Sequence, residues 1–261
     1  MKGLVKILTL VMVLAASGTA MADGSWERVQ DKGALVIGLD DAFPPMGFRE
    51  DGEIVGFDVD AANALGERLG IDIVWQPTAW DGVIHSLNTK KFDCIWNGMT
   101  ITEERAERVS FTDPYIMDGQ IVVLQLGEEE ISSFEDLEGK TVGVQKGSSA
   151  LQAVDALPEE PGQVREYETN PKAFLDLEAG RLDAMIVDNV AGRYYIGTRP
   201  GKFKVLPGVV SQEPFGVAFR KEDKQLREVV QKEIDAMVAD GTMAEISRKW
   251  FGEDITNPAQ W

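Results

Sequence analysis

Polar residues and glycines directly follow several short apolar runs of the sequence. The runs and their polar followers are 34–39 before Asp40, 93–96 before Gly98 and Thr100, 141–145 before Ser148 and Ser149, and 184–187 before Asp188. Each run alternates with a helical pattern, and in open α/β sheets ligands bind at the carboxyl ends of the strands. We therefore expect these side chains to meet at one place, together with Arg105 from the helix after the second run.

These residue types suit a small ligand that bears both charges. Arg105, with backbone amides at the start of its helix, can hold a carboxylate. Asp188 can hold an ammonium group, and Gly98 lets a ligand approach the backbone closely. Phe43 and Trp80 would wall the site and exclude water, which strengthens each charge contact. The chemistry predicted at the strand ends is therefore recognition of a zwitterion.

Each residue also has an interpretation that involves no ligand. Arg105 could be a solvated residue of a charged helix, and Gly98 could belong to an ordinary turn. Ser148 and Ser149 could simply cap a helix, and Trp80 could be part of the core. Their shared position at strand ends favours the site over these separate explanations.

Strands and helices alternate along the chain. Predicted strands cover 34–39, 71–75, 93–96, 121–126, 141–145, 164–168 and 184–187, and predicted helices cover 57–69, 80–87, 102–109, 150–157, 171–180, 223–240 and the segment around 246–251. The first βαβαβ series ends near residue 109, and a second one spans about 119–212. The sequence therefore predicts an α/β protein with two lobes, each a mostly parallel sheet flanked by helices.

The first 22 residues have the pattern of a secretory signal peptide. Lys2 and Lys6 precede an apolar run at 7–16, and Ala20-Met21-Ala22 fits the small-residue cleavage pattern. A membrane anchor is the alternative, but the run is too short to span a bilayer. No cysteine lies at the cleavage site, so we expect export to the periplasm without a lipid anchor.

Composition excludes several other classes of function. The formal charge is −18, and loss of residues 1–22 makes it about −20, so the chain should repel nucleic acid and anionic membranes. Cys94 is the single cysteine of the chain, which excludes an internal disulfide and a zinc cluster. We expect it to be a buried hydrophobe, and we expect neither cofactor nor metal.

Several motifs resemble one family. They are GFDVD at 56–60 with Leu65-Gly66 and Leu69, MTITEER at 99–105, FTDPY at 111–115, FEDLEGKTVGV at 134–144, GRLDAMIVD at 180–188 and GTMAEISRKWFG at 241–252. In this order they resemble the family 3 extracellular solute-binding proteins, the periplasmic polar amino-acid receptors of ABC importers. Ala61 departs from the pattern, because a larger apolar residue is usual there.

The resemblance implies a type II periplasmic-binding-protein fold, in which two hinge strands join two lobes around a ligand cleft. The implied parts are lobe 1 at 23–115 and 216–261, lobe 2 at 119–212, and hinges near 115–119 and 212–216. It also implies a monomer that closes on its ligand and delivers it to a membrane permease.

The resemblance further assigns roles to residues of the cleft. It implies that Arg105 binds the α-carboxylate and that Thr100 with Ser148 or Ser149 adds hydrogen bonds. It implies that the Gly98 carbonyl and the Asp188 carboxylate bind the α-ammonium. It also implies that Asp40 reaches the ligand side chain and that Phe43 and Trp80 form the walls around that side chain.

Asp40 bears on the class of ligand. A carboxylate facing the ligand side chain favours arginine, lysine, histidine or glutamine and disfavours glutamate and aspartate by repulsion. Gln145 stands where glutamine-binding members resemble one another in having lysine, and Val187 stands where some have histidine, which argues against glutamine itself. PTAWDG at 77–82 is similar to cystine-binding members, so cystine stays open. We expect an arginine- or glutamine-like ligand.

Two other classes of protein use the same fold. Dehydratases acting on prephenate or arogenate require a general acid in the cleft, and Glu168 is a candidate for that role. His85, the single histidine, is expected on the surface or in the core. The sensory module of a receptor kinase is the third class, and the absence of an apolar span after the second lobe argues against it.

Overall fold

A computed structural model describes residues 23–260, so the predicted signal peptide lies outside the described residues. The strands are β1 Ala34–Leu39, β2 Ala42–Phe43, β3 Gly47–Glu50, β4 Glu53–Val55, β5 Asp72–Pro77, β6 Cys94–Ile95, β7 Ser110–Phe111, β8 Ile116–Gln125, β9 Thr141–Gln145, β10 Gln163–Tyr167, β11 Ala184–Asp188, β12 Phe203–Val205, β13 Ser211–Phe215 and β14 Ala218–Phe219. The helices are α1 Ser25–Lys32, α2 Phe57–Leu69, α3 Val83–Asn88, α4 Glu103–Arg108, α5 Ala150–Asp155, α6 Asn170–Glu178, α7 Asn189–Thr198, α8 Lys224–Ala239 and α9 Thr242–Phe251. Short 3₁₀ turns lie at Trp80–Gly82, Glu135–Leu137 and Pro258–Gln260.

The first lobe is built on a five-stranded sheet in the order β5-β1-β6-β14-β7. Strands β5, β1 and β6 run parallel, whereas β14 pairs antiparallel with both β6 and β7. Because β14 follows the second lobe in sequence, it adds its strand from the far end of the chain. Helix α8 packs on this lobe through the buried side chains of Leu226, Val230, Ile234 and Met237.

The second lobe is built on a sheet in the order β10-β9-β11-β8-β12, with β13 also paired to β8. Strands β10, β9 and β11 run parallel, and β8 is antiparallel to β11, β12 and β13. The prediction of two α/β lobes with mostly parallel sheets is confirmed: one strand in each sheet, β14 in the first and β8 in the second, runs against the others. Strand β8 is one of the two strands that cross between the lobes, and β14 follows the other one, β13.

The chain passes from the first sheet to the second through β8 and returns through β13. These strands pair antiparallel, with Phe215 opposite Ile116 and Gln212 opposite Gly119. The crossing therefore consists of two hydrogen-bonded strands side by side. It is the structural element on which the predicted hinge motion would depend.

Some elements were not predicted from the sequence. The small antiparallel sheet β2-β3-β4 covers the segment after Asp40, and helix α7 follows Asp188 directly. Helix α1 precedes the first strand. Cys94 is fully buried in β6, which confirms its prediction as a buried hydrophobe. Within residues 23–260, none of the helices has the length and apolar character that crossing a bilayer requires.

Candidate functional site

A small cavity lies between the two lobes, and the free space within it is about 10 Å³. Its lining includes every residue that the sequence predicts for ligand binding: Asp40, Phe43, Trp80, Gly98, Thr100 and Arg105 from the first lobe, and Ser148, Ser149 and Asp188 from the second. Asn97 and Gln145 complete the lining. The structure thus brings together side chains from both lobes, although their roles toward a ligand remain predictions.

Arg105 forms the cationic side of the cavity. It lies on α4, where the Thr102 hydroxyl accepts a hydrogen bond from the Arg105 backbone N–H over 3.2 Å and caps the helix. Its guanidinium donates to the Thr100 carbonyl over 2.9 Å and to the Gly147 carbonyl over 3.1 Å, and lies 5.8 Å from the centre of the Trp80 ring. Burial lowers the pKa of Arg105. Because its close partners are neutral carbonyls, this buried cation can still take an anion.

Asp188 forms an anionic side of the same cavity. It ends β11, is 7% exposed, and accepts a hydrogen bond from the Gln120 amide over 2.9 Å. Burial, followed by the negative charges of Asp118 and Glu213, raises its pKa well above the usual range. A cationic ligand group beside Asp188 would favour the ionised carboxylate.

Asp40 and Gln145 meet at another part of the cavity. The Gln145 amide donates to the Asp40 carboxylate over 2.6 Å, and the Asn97 amide oxygen accepts the Asp40 backbone N–H over 3.0 Å. Burial raises the pKa of Asp40, while the hydrogen bond from Gln145 opposes that shift. The carboxylate that the resemblance directs at the ligand side chain is therefore already paired across the lobes.

The hydroxyl residues also connect the lobes. The Thr100 and Ser149 hydroxyls lie 3.0 Å apart, and Thr100 donates to the Glu213 carboxylate over 3.0 Å. The hydroxyl of Ser148 donates to the Gln145 carbonyl over 2.7 Å, so its proton is used within its own loop. Of the two serines, Ser149 makes the contact between lobes.

Gly98 is held in place by a buried carboxylate of the GFDVD motif. Its backbone N–H donates to Asp58 over 2.7 Å, and burial raises the pKa of Asp58 to about 7. Gly98 has φ of +54°, and a Cβ there would lie 2.8 Å from the Phe43 ring. The requirement for glycine therefore comes from backbone conformation and packing against Phe43.

The comparison with protein families agrees with this geometry. The model of the bacterial extracellular solute-binding proteins, family 3, matches residues 35–253, which span both lobes and every residue of the cavity. The chain belongs to this family. The resemblance drawn from its motifs is thereby confirmed.

This family 3 protein is similar to curated amino-acid-binding proteins. It is 34% identical to the L-cystine-binding protein TcyJ of Escherichia coli K12 over 265 aligned positions, which cover 98% of this chain and 97% of the relative. It is 35% identical to the L-arginine-binding protein of Pseudomonas aeruginosa over 231 positions, which cover 84% of this chain and 88% of the relative.

Solved structures share its fold. A substrate-binding protein of an ABC uptake transporter from Streptococcus pneumoniae with bound histidine matches with a TM-score of 0.85 and 35% identity, covering 90% of this chain and 98% of that one. An ancestral amino-acid-binding protein described as a precursor of cyclohexadienyl dehydratase matches with a TM-score of 0.80 and 37% identity, covering 86% and 98%. The two-lobed periplasmic-binding-protein fold of the family 3 protein is thereby confirmed.

The candidate general acid of the dehydratase alternative does not lie in the cavity. Glu168 is exposed and forms an ion pair with Lys172, one helical turn further along the chain. That pairing lowers the pKa of Glu168, the opposite of what a general acid needs near neutral pH. The proposal of Glu168 as a cleft acid was therefore wrong. His85 is exposed, in agreement with one of its two predicted positions.

Sequence reasoning missed several residues of the family 3 site. Asn97 and Gln145 end apolar runs, so the strand-end argument applied strictly would have included both. Asp58, Gln120 and Glu213 lie behind the cavity lining and support it. Their roles depend on contacts between distant segments, for which the sequence offers no local signal.

Proposed function

We propose that this protein captures a polar α-amino acid in the periplasm and passes it to the permease of an ABC importer. The observation that carries the proposal is the pair of buried opposite charges, Arg105 and Asp188, on facing lobes of one cavity. Neither makes an ion pair within 4.0 Å among residues 23–260. A free amino acid brings a carboxylate for Arg105 and an ammonium for Asp188.

Burial makes this arrangement costly without a ligand. A buried charge that lacks its partner costs about 3–5 kcal/mol relative to the paired state. Binding of a zwitterion would recover part of that free energy at both ends at once. The remaining groups, Thr100 and Ser149, can add hydrogen bonds to the same ligand from either lobe.

The ligand class follows from Asp40 and Gln145. Their carboxylate and amide can pair with a guanidinium, an ammonium, an imidazole or an amide, which supports arginine, lysine, histidine or glutamine. Cystine is the alternative, supported by the similarity to a cystine-binding relative. The side-chain carboxylate of glutamate or aspartate would meet repulsion from Asp40.

The proposed mechanism is closure of the two lobes about the β8–β13 crossing. Hinge closure around a ligand is the known behaviour of periplasmic binding proteins. A ligand that contacts Arg105 in one lobe and Asp188 in the other binds the closed form better, so it shifts the population toward closure. The Gly147 carbonyl and the Arg105 guanidinium already meet across the lobes in the closed arrangement.

Family membership supports the remaining parts of the proposal. We infer that residues 1–22 direct export and are removed, that the protein acts as a monomer without a lipid anchor, and that its closed form is what the permease recognises. We further infer that it is a binding protein rather than an enzyme, since its curated relatives are binding proteins.

A thermal-shift screen tests the proposal. The mature protein is heated with each of the common amino acids, cystine and ornithine, because a ligand that binds only the folded state raises Tm, and raises it with the logarithm of its affinity. At a concentration of about 100 times Kd the stabilisation is about 2.7 kcal/mol. We expect one or a few polar amino acids to raise Tm. Product formation from arogenate with no amino-acid response would contradict the proposal.

A further inference from the structure

Three carboxylates meet behind the ammonium side of the cavity. Asp118 on β8 lies directly opposite Glu213 on β13, and Gln120, two residues along β8, lies directly opposite Asp188 on β11. The three carboxylate residues are each 7% exposed. Directly opposed like charges in an antiparallel pair repel each other, so the crossing of the lobes contains an arrangement that full ionisation would destabilise.

One amide joins the carboxylates. The Gln120 nitrogen lies 2.9 Å from an Asp188 oxygen, 3.1 Å from a Glu213 oxygen and 3.2 Å from the Ser149 hydroxyl. Three acceptors thus surround a nitrogen that has only two protons to donate. This amide therefore cannot donate to all three acceptors at once, although Ser211 also donates to Glu213 over 2.8 Å and the Val190 N–H donates to Asp118 over 3.5 Å.

A second observation indicates that a hydrogen-bond donor is missing near Gln120. The oxygen of the same Gln120 amide is buried and has no hydrogen-bond partner among the described residues. A buried acceptor without a donor is costly, and the groups around this amide are carboxyls. If the amide turns its oxygen toward the carboxyls, a proton on one of them supplies the missing donor.

The surrounding charges do not neutralise the cluster. Arg105 on α4 is the cation that interacts with Asp188 and Glu213, and it is the group assigned to the ligand carboxylate. From α7 the neutral Asn189 amide faces Asp118 over 3.3 Å, and from the loop after β6 the Thr100 hydroxyl faces Glu213. Burial raises the pKa of Asp118 to about 7, with Glu213 adding to the shift.

We propose that the carboxylate cluster of Asp118, Asp188 and Glu213 holds a proton in the ligand-free protein and releases it when a ligand ammonium enters, so that capture is linked to proton release. This inference rests on the proposed function. The ligand arrives already as an ammonium, a carboxyl O–H in the cluster breaks, and the proton leaves to solvent while the ammonium takes its place as the positive partner. No other bond changes.

The sign of the pH dependence follows from this exchange. Because a proton is released on binding, affinity rises with pH by up to about tenfold per pH unit while the cluster is protonated. Above the pH at which the ligand-free cluster is already ionised, no proton is released and the affinity becomes constant. Glu213 and Asp118 act here as positioning residues, because neither lines the cavity.

Calorimetry measures the released proton directly. The amino acid among L-arginine, L-glutamine, L-histidine and L-cystine that gives the largest rise in Tm is titrated in buffers of different ionisation enthalpy, at about pH 6 and about pH 8. We expect release of about half a proton or more at the lower pH and much less at the higher one. Asp118→Asn and Glu213→Gln should at least halve the release, whereas Glu159→Gln, at an exposed position, should leave it unchanged. No release at about pH 6, or equal release in all variants, overturns the inference.

A second measurement does not depend on the ligand. Infrared spectra of the ligand-free protein at about pH 6 should show a buried protonated carboxyl that is weaker in Asp118→Asn. The buried Asp58 also contributes to this band, so the test is the difference between the parent and Asp118→Asn spectra. If no amino acid binds, the proposed function fails, and that difference still decides whether the cluster holds a proton. Identical spectra overturn the inference even when an amino acid binds.

Discussion

The side-chain amide of Gln145 donates a hydrogen bond to the Asp40 carboxylate over 2.6 Å, across the boundary between the two lobes. Gln145 is the last residue of β9, and Asp40 directly follows β1, so each lies at the carboxyl end of a strand. The contact gives the buried Asp40 carboxylate a hydrogen-bond donor, but that donor is a neutral amide and not a positive charge. A cationic ligand group could therefore still gain from approaching Asp40.

Replacement of Asp40 by asparagine should change which amino acids bind. The variant keeps an acceptor for Gln145 but loses the charge, and hydrogen bonds to charged groups contribute about 1–1.5 kcal/mol more than neutral ones. We expect the affinity for cationic amino acids to fall about tenfold while that for neutral ones changes only a few-fold. Titration calorimetry with arginine and glutamine measures both, and an unchanged preference would remove Asp40 from the side-chain contact.

Replacement of Arg105 by alanine should abolish amino-acid binding whatever the side chain of the ligand. Loss of one partner of a buried charge pair costs about 2–5 kcal/mol, at least thirtyfold in affinity. Arg105→Lys should recover only part of the binding, because an ammonium lacks the fork that fits a carboxylate. Arg248→Ala is the control, since Arg248 is exposed on α9 and absent from the cavity lining. Normal binding by Arg105→Ala would refute the carboxylate assignment.

Replacement of Gly147 by alanine should interfere with closure. A Cβ at this position, where φ is +73°, would lie 2.7 Å from the Asp81 Cα of the opposite lobe. Gly139 is a matched control in the same lobe, because its φ is +71° and a Cβ there would meet nothing within 4 Å. Both variants should lose similar stability from backbone strain.

Only the Gly147 variant should lose affinity, by about tenfold or more, which corresponds to about 1.4 kcal/mol. Unfolding midpoints of the two variants measure the stability lost to backbone strain. Ligand titrations measure the affinity lost when closure is hindered. Equal affinities would show that the contact between Gly147 and Asp81 does not limit the closed form.

Asp58 should make the stability of the ligand-free protein depend on pH. Burial raises its pKa in the folded state to about 7, above the ordinary value of 3.8 that applies to the unfolded chain. The folded protein therefore binds more protons than the unfolded chain between these values, and its free energy of unfolding falls as pH rises from about 4 to about 7. The slope from this one group is at most about 1.4 kcal/mol per pH unit.

Asp58→Asn isolates that contribution. Asparagine can still accept the Gly98 N–H but cannot ionise. Denaturant unfolding at several pH values should show a smaller slope for the variant between about pH 4 and pH 7, and the same slope as the parent above that range. Parallel curves over the whole range would mean that Asp58 is not protonated in the folded protein.

Much of the fold and of the cavity lining could be predicted from local patterns. The run at 34–39 became β1 with the same bounds, and the apolar face of the helix near the chain end became the buried face of α8. Helix α7 was missed because Gly192 and two tyrosines weaken its helical pattern. The helix depends on tertiary packing, because Gly192 packs against Ile121. A Cβ at position 192 would lie 2.7 Å from the Ile121 side chain.

The sequence by itself determined the alternation of strands and helices, the family motifs and the placement of charged residues at strand ends. Those properties are local, because strand periodicity and helix capping involve neighbours in the chain. Only the tertiary structure decided that Gln145 pairs with Asp40 and that Asp118 lies opposite Glu213. Both contacts join segments about 100 residues apart, and they exist because the chain crosses twice between lobes that close on one another.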